Sequence, residues 1–450
     1  MNIARKIKIN ITKDQGLSLD GQSRICNWLY NYLYEKTEDD YKNGNPNKLL
    51  TGRNLRDLIP QIKEEKPFLK VVFSSPLKNV AFRLKDSYDG YFKGLSGHPK
   101  FRAWKEKWFS LLYEEPWKGY KLDGNVLDLS LGKDENGKQL HLSLELSDTL
   151  SAKEKAQVST MRITKDGKNY YAIFTLEKAN IEKVLDETKW ISFDPNHKNL
   201  MVGIDHQGHS IEFERTQIVK YWDKKIDELK SKRDKLKKKS VRKETKTGSG
   251  RWFWRPSKKW TRYNDALNRA YAVRREQNKQ EVFALANALM KSYDVIVIGD
   301  YAPSIETAKY KNQHRSMLNQ TYIGKIRETL GWVAQRSGKR LDVVDEYHTT
   351  KECPFCSFME SKDPSVRIYT CPNCGTTYYR DLGSAINIAV KDKKLLRSDY
   401  SGWKVTSPEY TARWNWRTCK WEAKFVEADE SKRDDFPLGL ILSKYNHAFA

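Results

Sequence analysis

The chain has 450 residues, room for two to four domains at about 150 residues each. Lysine and arginine number 82 against 58 aspartates and glutamates, and a net charge of +24 calls for a polyanionic partner, nucleic acid before a membrane surface. Hydrophobic residues at 38% and aromatics at 12% exclude a disordered basic tail, and without an apolar run of about 18 residues no membrane-spanning helix is expected.

The opening residues MNIARKIKINIT alternate, with Ile7, Ile9 and Ile11 against Lys6, Lys8 and Asn10. They predict a half-buried strand, not the apolar stretch of a signal peptide. Ile25, Trp28, Leu29, Tyr32 and Leu33 then recur at helical spacing. A second helix is expected from Ser75-Pro76, with Ser as N-cap and Pro at the first helical position. Its stripe is Leu77, Val80, Ala81, Leu84, Tyr88 and Tyr91. From His98 strands take over. NVLDLSL (125–131) and LHLSLEL (140–146) alternate with period two, and 161–163 and 170–176 read as a hairpin about Asp166-Gly167.

Three short strands follow at 190–194 (WISFD), 199–204 (NLMVGI) and 210–214 (SIEFE). Two long helices come next. The first carries Val219, Trp222, Ile226, Leu229 and Leu236 in near-heptad spacing, and the second covers 263–290. Residues 220–259 hold 17 lysines and arginines against five acids, half of the chain's charge excess. Basic and stacking side chains are interleaved there. Lys238, Lys239, Arg242, Arg251, Trp252, Trp254, Arg255, Lys258 and Lys259 are therefore candidate nucleic-acid contacts, with Arg380 as a further one. The plainer reading is a solvated helical hairpin with a loose tip at 247–250. A buried strand (294–298), a helix (324–336) and a strand (341–345) lead to a cysteine cluster, and a helix (381–390) follows it. From Ser398 the chain is rich in tryptophan without a clear period.

Cys353-Pro-Phe-Cys356 and Cys371-Pro-Asn-Cys374-Gly are two C-x-x-C knuckles separated by 14 residues. Four thiolates so spaced satisfy a tetrahedral Zn²⁺ with no open position, so the site reads as structural. Such a metal supplies folding energy on the order of 10 kcal/mol to a small module. Cys26 and Cys419 are isolated, which is the usage of a reducing compartment and not of a disulfide frame.

Metal-assisted phosphodiester cleavage needs acidic side chains that converge on divalent cations. Asp194 ends WISFD, Glu346 (with Asp345 beside it) ends LDVVDE, and Asp381 opens the helix after the knuckles. Each also has a plainer role: a turn former before Pro195, a solvated strand end, and a carboxylate favoured by a helix dipole. Asp205 lies in a hairpin turn and is set aside. A strand–strand–strand–helix–strand–helix order, with acids at the first strand, a later strand and a helix, is how a ribonuclease-H-type fold places metal ligands.

These motifs carry a family resemblance. C-P-N-C-G followed by Tyr379-Arg380-Asp381-Leu-Gly-Ser-Ala385-Ile-Asn387-Ile388 resembles the zinc knuckle and third RuvC motif, R-D-x-x-x-A-x-N-I, of the transposon-encoded TnpB proteins, their Fanzor relatives and the compact type V CRISPR effectors. FDPNHKNL at 193–200 is similar to the first RuvC motif, and GHPKFR at 97–102 to a Gly-x-Pro-x-Phe signature ahead of the wedge strands. The second motif departs. The family has Glu after an apolar strand, but VIVIGDYAPS sets Gly299 in that place and Asp300 one residue late. VVDEYHTTKEC resembles members in which a Glu just before the zinc module takes over. The resemblance thus implies Asp194, Glu346 and Asp381 as catalytic metal ligands, with Asp300 as the alternative second ligand. It implies a multidomain α/β protein. A β-barrel-like wedge (1–14 and 96–189) is interrupted by a helical recognition domain (15–95). An RNase H-like (RuvC) nuclease (190–346 and 380–397, with the basic hairpin 218–292) is interrupted by a zinc-ribbon target nucleic-acid-binding module (347–379), and a tail follows (398–450). The implied activity is RNA-guided DNA cleavage beside a short adjacent motif, with guide RNA, double-stranded target DNA, structural Zn²⁺ and two catalytic Mg²⁺, in a bacterial cytoplasm or a nucleus. A nuclease-inactive RNA-guided binder and a transposase of the same fold are the rivals.

Overall fold

A computed structural model describes residues 1–44, 51–102, 108–179, 181, 183–196, 198–215, 217–237, 241–244, 252–301, 323–363, 365–400, 402–426 and 441–442. The chain divides into two compact units, Met1–Ala179 and Asn180–Ala450. No helix among the described residues is long and apolar enough to cross a membrane.

In the first unit β1 (Asn2–Asn10), β2 (Ser110–Tyr113), β3 (Tyr120–Asp123), β4 (Val126–Lys133), β5 (Gln139–Leu146), β6 (Val158–Asp166) and β7 (Asn169–Glu177) form one antiparallel sheet, ordered β2-β6-β7-β1-β5-β4-β3. β1 sits mid-sheet with Ile7 and Ile9 buried and Lys6 and Lys8 exposed, as its alternation predicts. Helices Lys13–Lys42, Gly52–Asp57, Ile59–Glu65 and Ser74–Phe92 lie between β1 and β2 in sequence. A capping box of Thr12 and Gln15 starts the first of them. The helix expected from Ser75 begins instead at Ser74, with Phe73 at the N-cap and no side-chain cap. Ser75, Pro76 and Leu77 are buried, so packing of the first turn takes the place of the cap.

In the second unit β8 (Trp190–Pro195), β9 (Met201–Asp205) and β10 (Ser210–Phe213) form an antiparallel meander. β11 (Val241–Glu244) and β12 (Trp252–Arg255) pair as a separate ribbon between the helices Gln217–Lys235 and Lys258–Ser292. The basic stretch therefore carries an extended ribbon that the sequence reading missed. Ile226, Leu267 and Ala270 form a small core between the two helices, and an Arg274–Asp223 ion pair joins them. β13 (Val295–Gly299) lies parallel to β8, and β14 (Arg340–Val344) parallel to β13, with the helix Ile323–Ser337 between them in sequence. β15 (Ile368–Thr370) and β16 (Thr377–Tyr379) form a small hairpin ahead of the helix Arg380–Lys391. The Trp-rich end is not an aperiodic tail: β17 (Tyr410–Asn415) and β18 (Lys420–Phe425) pair, and β17 runs parallel to β10. With β19 (Ile441–Leu442) the large sheet is ordered β14-β13-β8-β9-β10-β17-β18-β19.

Both faces of the middle of this sheet are covered, which is why its strands read as near-continuous apolar runs. Ile191, Phe193, Ile296 and Ile298 pack with Val282, Leu285, Leu289, Leu330 and Val333 on one face. Trp190, Val202, Ile204, Val295 and Val297 pack with Leu382, Ala385, Ile386 and Ala389 on the other. Burial of a leucine or isoleucine contributes about 1.5–3 kcal/mol, so Leu382, Ile386 and Ile388, all at 0% exposure, anchor the last helix firmly.

Candidate active site

Residues alternate faces along a strand. Ser192 and Asp194 therefore share the face of β8 that carries the helix Arg380–Lys391, and Ser192 Oγ donates to Ala385 O at 2.8 Å to fix that contact. Phe193 pairs with Ile298, so the next residues, Asp194 and Gly299, are neighbours at the C-terminal ends of two parallel strands. Glu346 lies two residues beyond the end of β14 and folds back over Gly299. A Cβ at position 299 would stand 1.8 Å from Glu346 Oε1 and 2.4 Å from its Cδ. The carboxylate of Glu346 thus fills the volume that a side chain on residue 299 would need.

The loop bearing Glu346 is tied down at several points. Asp300 N donates to Val344 O at 2.8 Å, and Glu346 N donates to Asp300 Oδ1 at 3.1 Å. Thr349 donates twice to Glu346 O, from Oγ1 at 2.9 Å and from N at 3.0 Å. Asn387 Nδ2 donates to Thr349 O at 2.8 Å and to Glu352 O at 3.0 Å, which locks the loop onto the helix Arg380–Lys391. Asp300 is exposed and spends an oxygen on the Glu346 amide, and Asp345 is exposed and accepts from Tyr347 N.

Asp381 is 2% exposed in the first turn of its helix. Its Oδ1 accepts from Arg380 Nε at 3.1 Å and Nη2 at 3.0 Å. Its Oδ2 accepts from Asn196 Nδ2 at 3.3 Å and from Arg367 Nη1. Burial first, and then the charges of Glu346 and Asp381, hold the Asp194 carboxyl well above the usual range, against Arg380 and Arg367. Burial, reinforced by Asp300 and Asp345, pushes the Glu346 carboxyl up to about 7, against a Tyr301 backbone hydrogen bond and Arg327. Glu346 Oε1 is buried with no hydrogen-bond partner. A buried carboxyl raised by two acidic neighbours, one of them with an orphaned oxygen, fits a divalent cation. The three carboxyls are not gathered as tightly as the thiols: among the described residues the four cysteines are the set whose ligand atoms all lie within 4.8 Å of one another. Asp381 is instead drawn onto two guanidinium groups.

Cys353, Cys356, Cys371 and Cys374 are all free of disulfides. Cys353 and Cys374 have their sulfurs 3.8 Å apart, and Cys356 and Cys371 3.6 Å. A tetrahedron with metal–sulfur bonds of about 2.3 Å has edges of about 3.8 Å, so the thiols are already spaced for zinc. Asn373 Nδ2 donates to Cys356 Sγ at 3.4 Å, and Gly375 turns the second knuckle at φ +72°.

Of the expected nucleic-acid contacts, Lys238, Lys239 and Arg251 lie outside the described residues; Arg242 and Trp252 are described in backbone only, on the paired strands β11 and β12. Trp254 is 66% exposed, and Arg255, Lys258 and Lys259 are exposed. Arg380 differs from expectation. It is 9% exposed, with its guanidinium committed to Asp381 and to Asp363 O, so it balances a buried charge and does not face a ligand. Sequence reasoning also passed over Arg367, which has no motif of its own, and the structural duties of Asn196 and Asn387, which FDPNHKNL and the R-D-x-x-x-A-x-N-I motif do contain.

Residues 324–388 match the family described as Cas12f1-like, TNB domain. The solved Cas12f1–sgRNA–target DNA complex is similar in fold, with a TM-score of 0.56 at 12% identity over 84% of this chain and 83% of that one. A TnpB-like protein of Aquifex aeolicus (strain VF5) is 26% identical over 237 residues, 51% of this chain and 76% of its own. The fold is that of a compact type V effector. The resemblance to the TnpB and compact type V family read from the motifs is borne out by all three likenesses.

Proposed function

We propose that the chain is an RNA-guided DNA endonuclease that cuts target DNA beside a short adjacent motif, using a guide RNA and a rearranged RuvC-type site. The observation that carries this reading is the Glu346 carboxylate seated over Gly299 beside Asp194, with one buried oxygen unpartnered. The β10-β9-β8-β13-β14 order, with three antiparallel strands and two parallel ones, supports a ribonuclease-H-type core. In this reading the first unit holds the wedge and the helical recognition domain, and the four-cysteine hairpin is a zinc ribbon.

Asp194, Glu346 and Asp381 would hold two Mg²⁺, which when bound supply an activated water and stabilise the leaving 3′ oxygen. The protein's own part is positioning. Asp300, Thr349 and Asn387 hold the Glu346 loop, and Asn196 ties the end of β8 to Asp381. Sequence selection falls to base pairing. The test is cleavage of a target plasmid with Mg²⁺ by the chain loaded with the RNA that copurifies with it. Wild type cuts and Glu346→Ala does not, while both bind. A second reading, a nuclease-inactive RNA-guided binder, is favoured by the two guanidinium groups on Asp381. It requires binding without cleavage in wild type.

A further inference from the structure

In the first unit the helix Lys13–Lys42 carries Ser23, Asn27 and Asn31, one turn apart. Their side chains grip the backbone that enters the sheet. Ser23 Oγ and Asn27 Nδ2 each donate to Trp108 O at 3.0 Å. Asn31 Nδ2 donates to Arg102 O at 3.0 Å, and Asn31 Oδ1 accepts from Arg102 N at 2.8 Å. Arg102 and Trp108 are thereby fixed. The Arg102 guanidinium stands 3.5 Å from the ring centroids of both Tyr30 and Trp108, and the Arg83 guanidinium 4.3 Å from that of Trp108.

These cations are expensive where they are. Arg83 Nη1 is buried with no hydrogen-bond partner. Burial first, then the like charge of Arg162 on β6, pushes Arg83 down to about 10. Burial also pushes Arg102 down to about 10, with Arg83 adding to it. Among the described residues neither Arg83 nor Arg102 has a carboxylate in an ion pair, and Asp86 acts on Arg83 by charge alone. Stacking explains why Arg102 is rigid. It does not explain why Arg83 is held against the like charge of Arg102 with a buried N–H left orphaned, a combination that folding alone disfavours.

The structure assigns Arg83 and Arg102, braced by Tyr30 and Trp108, as a site for one phosphodiester of a nucleic-acid backbone. Planar guanidinium forks match phosphate oxygens, and held in place they lose little freedom on binding. The assignment rests on the nucleic-acid reading above, and it is silent on which strand supplies the phosphate.

The experiment titrates the full-length chain with a labelled single-stranded RNA and, separately, a labelled DNA duplex across a salt series, for wild type, Arg83→Gln and Arg102→Gln. Loss of one phosphate contact lowers the slope of log affinity against log salt by about 0.7 on single-stranded RNA or about 0.9 on duplex DNA. A reduced slope with RNA alone assigns the phosphate to the guide, with DNA alone to the target, and with both to either strand. In the same samples the thermal midpoint of Arg83→Gln does not fall, because an unbalanced buried charge has been removed. Unchanged slopes for both variants on both probes overturn the assignment, as does a lowered midpoint for Arg83→Gln with wild-type binding. Should Arg83→Gln not fold, Arg102→Gln carries the test. A wild-type chain that binds neither probe overturns the underlying reading itself.

Discussion

The sharpest test of the site is a single methyl group at position 299. Gly299→Ala places a Cβ 1.8 Å from Glu346 Oε1 and 2.4 Å from Cγ and Cδ. Ordinary contact needs about 3.4 Å or more, so the carboxylate must retreat by roughly 1.5 Å; a 1 Å misplacement costs on the order of 100-fold in rate. That is about 2.7 kcal/mol of barrier at about 1.36 kcal/mol per decade. Stability moves less. Gly→Ala in a strand gains about 0.5–1 kcal/mol of backbone entropy, offset by overpacking of about 1–3 kcal/mol. The assay is single-turnover, Mg²⁺-dependent plasmid cleavage, with target binding measured in parallel. Gly299→Ala should bind like wild type and cut about 100-fold more slowly. The double variant Gly299→Glu with Glu346→Ala should cut faster than Glu346→Ala alone, because one carboxylate then occupies the shared volume from the other side. A Gly299→Ala enzyme at wild-type rate, or a double variant no better than the single, would refute the placement of Glu346.

Arg367→Met removes a buried partner of Asp381; it should destabilise the metal-free protein by about 3–5 kcal/mol, with part of the loss restored by Mn²⁺, read as the thermal midpoint with and without the ion. Because burial raises the folded-state Glu346 carboxyl from 4.5 to about 7, the folded form holds that proton more tightly than the unfolded chain. Stability of the metal-free protein should therefore fall as pH rises from about 4.5 towards 7, and Glu346→Gln should flatten that slope in urea titrations. Elemental analysis should find one zinc per chain, lost in Cys371→Ser together with cooperative melting of the Cys module. Trp254→Ala should weaken single-stranded RNA binding by about 1–3 kcal/mol in anisotropy titrations, since its ring is 66% exposed on the ribbon.

Much of this was legible in the chain because periodicity reports burial. The alternation of Ile7 and Ile9 marks a half-buried strand, and VIVI at 295–298 marks one covered on both faces. Asp194 and Glu346 were legible because each ends an apolar strand run, and Asp381 because it opens the helix after the knuckles. Asp300, one residue late after its apolar strand, has an exposed side chain, but its use in holding the Glu346 amide depends on a loop geometry that no period encodes. The β17–β18 hairpin was missed although Tyr410, Ala412 and Trp414 are buried in alternation, because the intervening Thr411 and Arg413 sit in a run of aromatics that masks the period. Arg367 was missed because a lone arginine between two knuckles is ordinary until the fold sets it on Asp381.

That placement links the acidic cluster to the four-cysteine module. Arg380 N donates to Arg367 O at 2.7 Å, directly beyond the Ile368–Tyr379 pair that begins the β15–β16 hairpin. The other end of the hairpin is the knuckle of Cys371 and Cys374. Both cations on Asp381 are therefore delivered by one short hairpin, and a three-residue strand pair is too small to hold itself together in water. The thiols close it at the far end, the guanidinium groups balance Asp381 at the near end, and Asn387 fastens the Glu346 loop that runs into Cys353. The carboxyls of Asp194 and Glu346 are raised by burial and by their acidic neighbours, against Arg380 and Arg367 at the first and Arg327 at the second. The cysteine cluster thus closes the hairpin whose two flanking arginines pair with the buried Asp381.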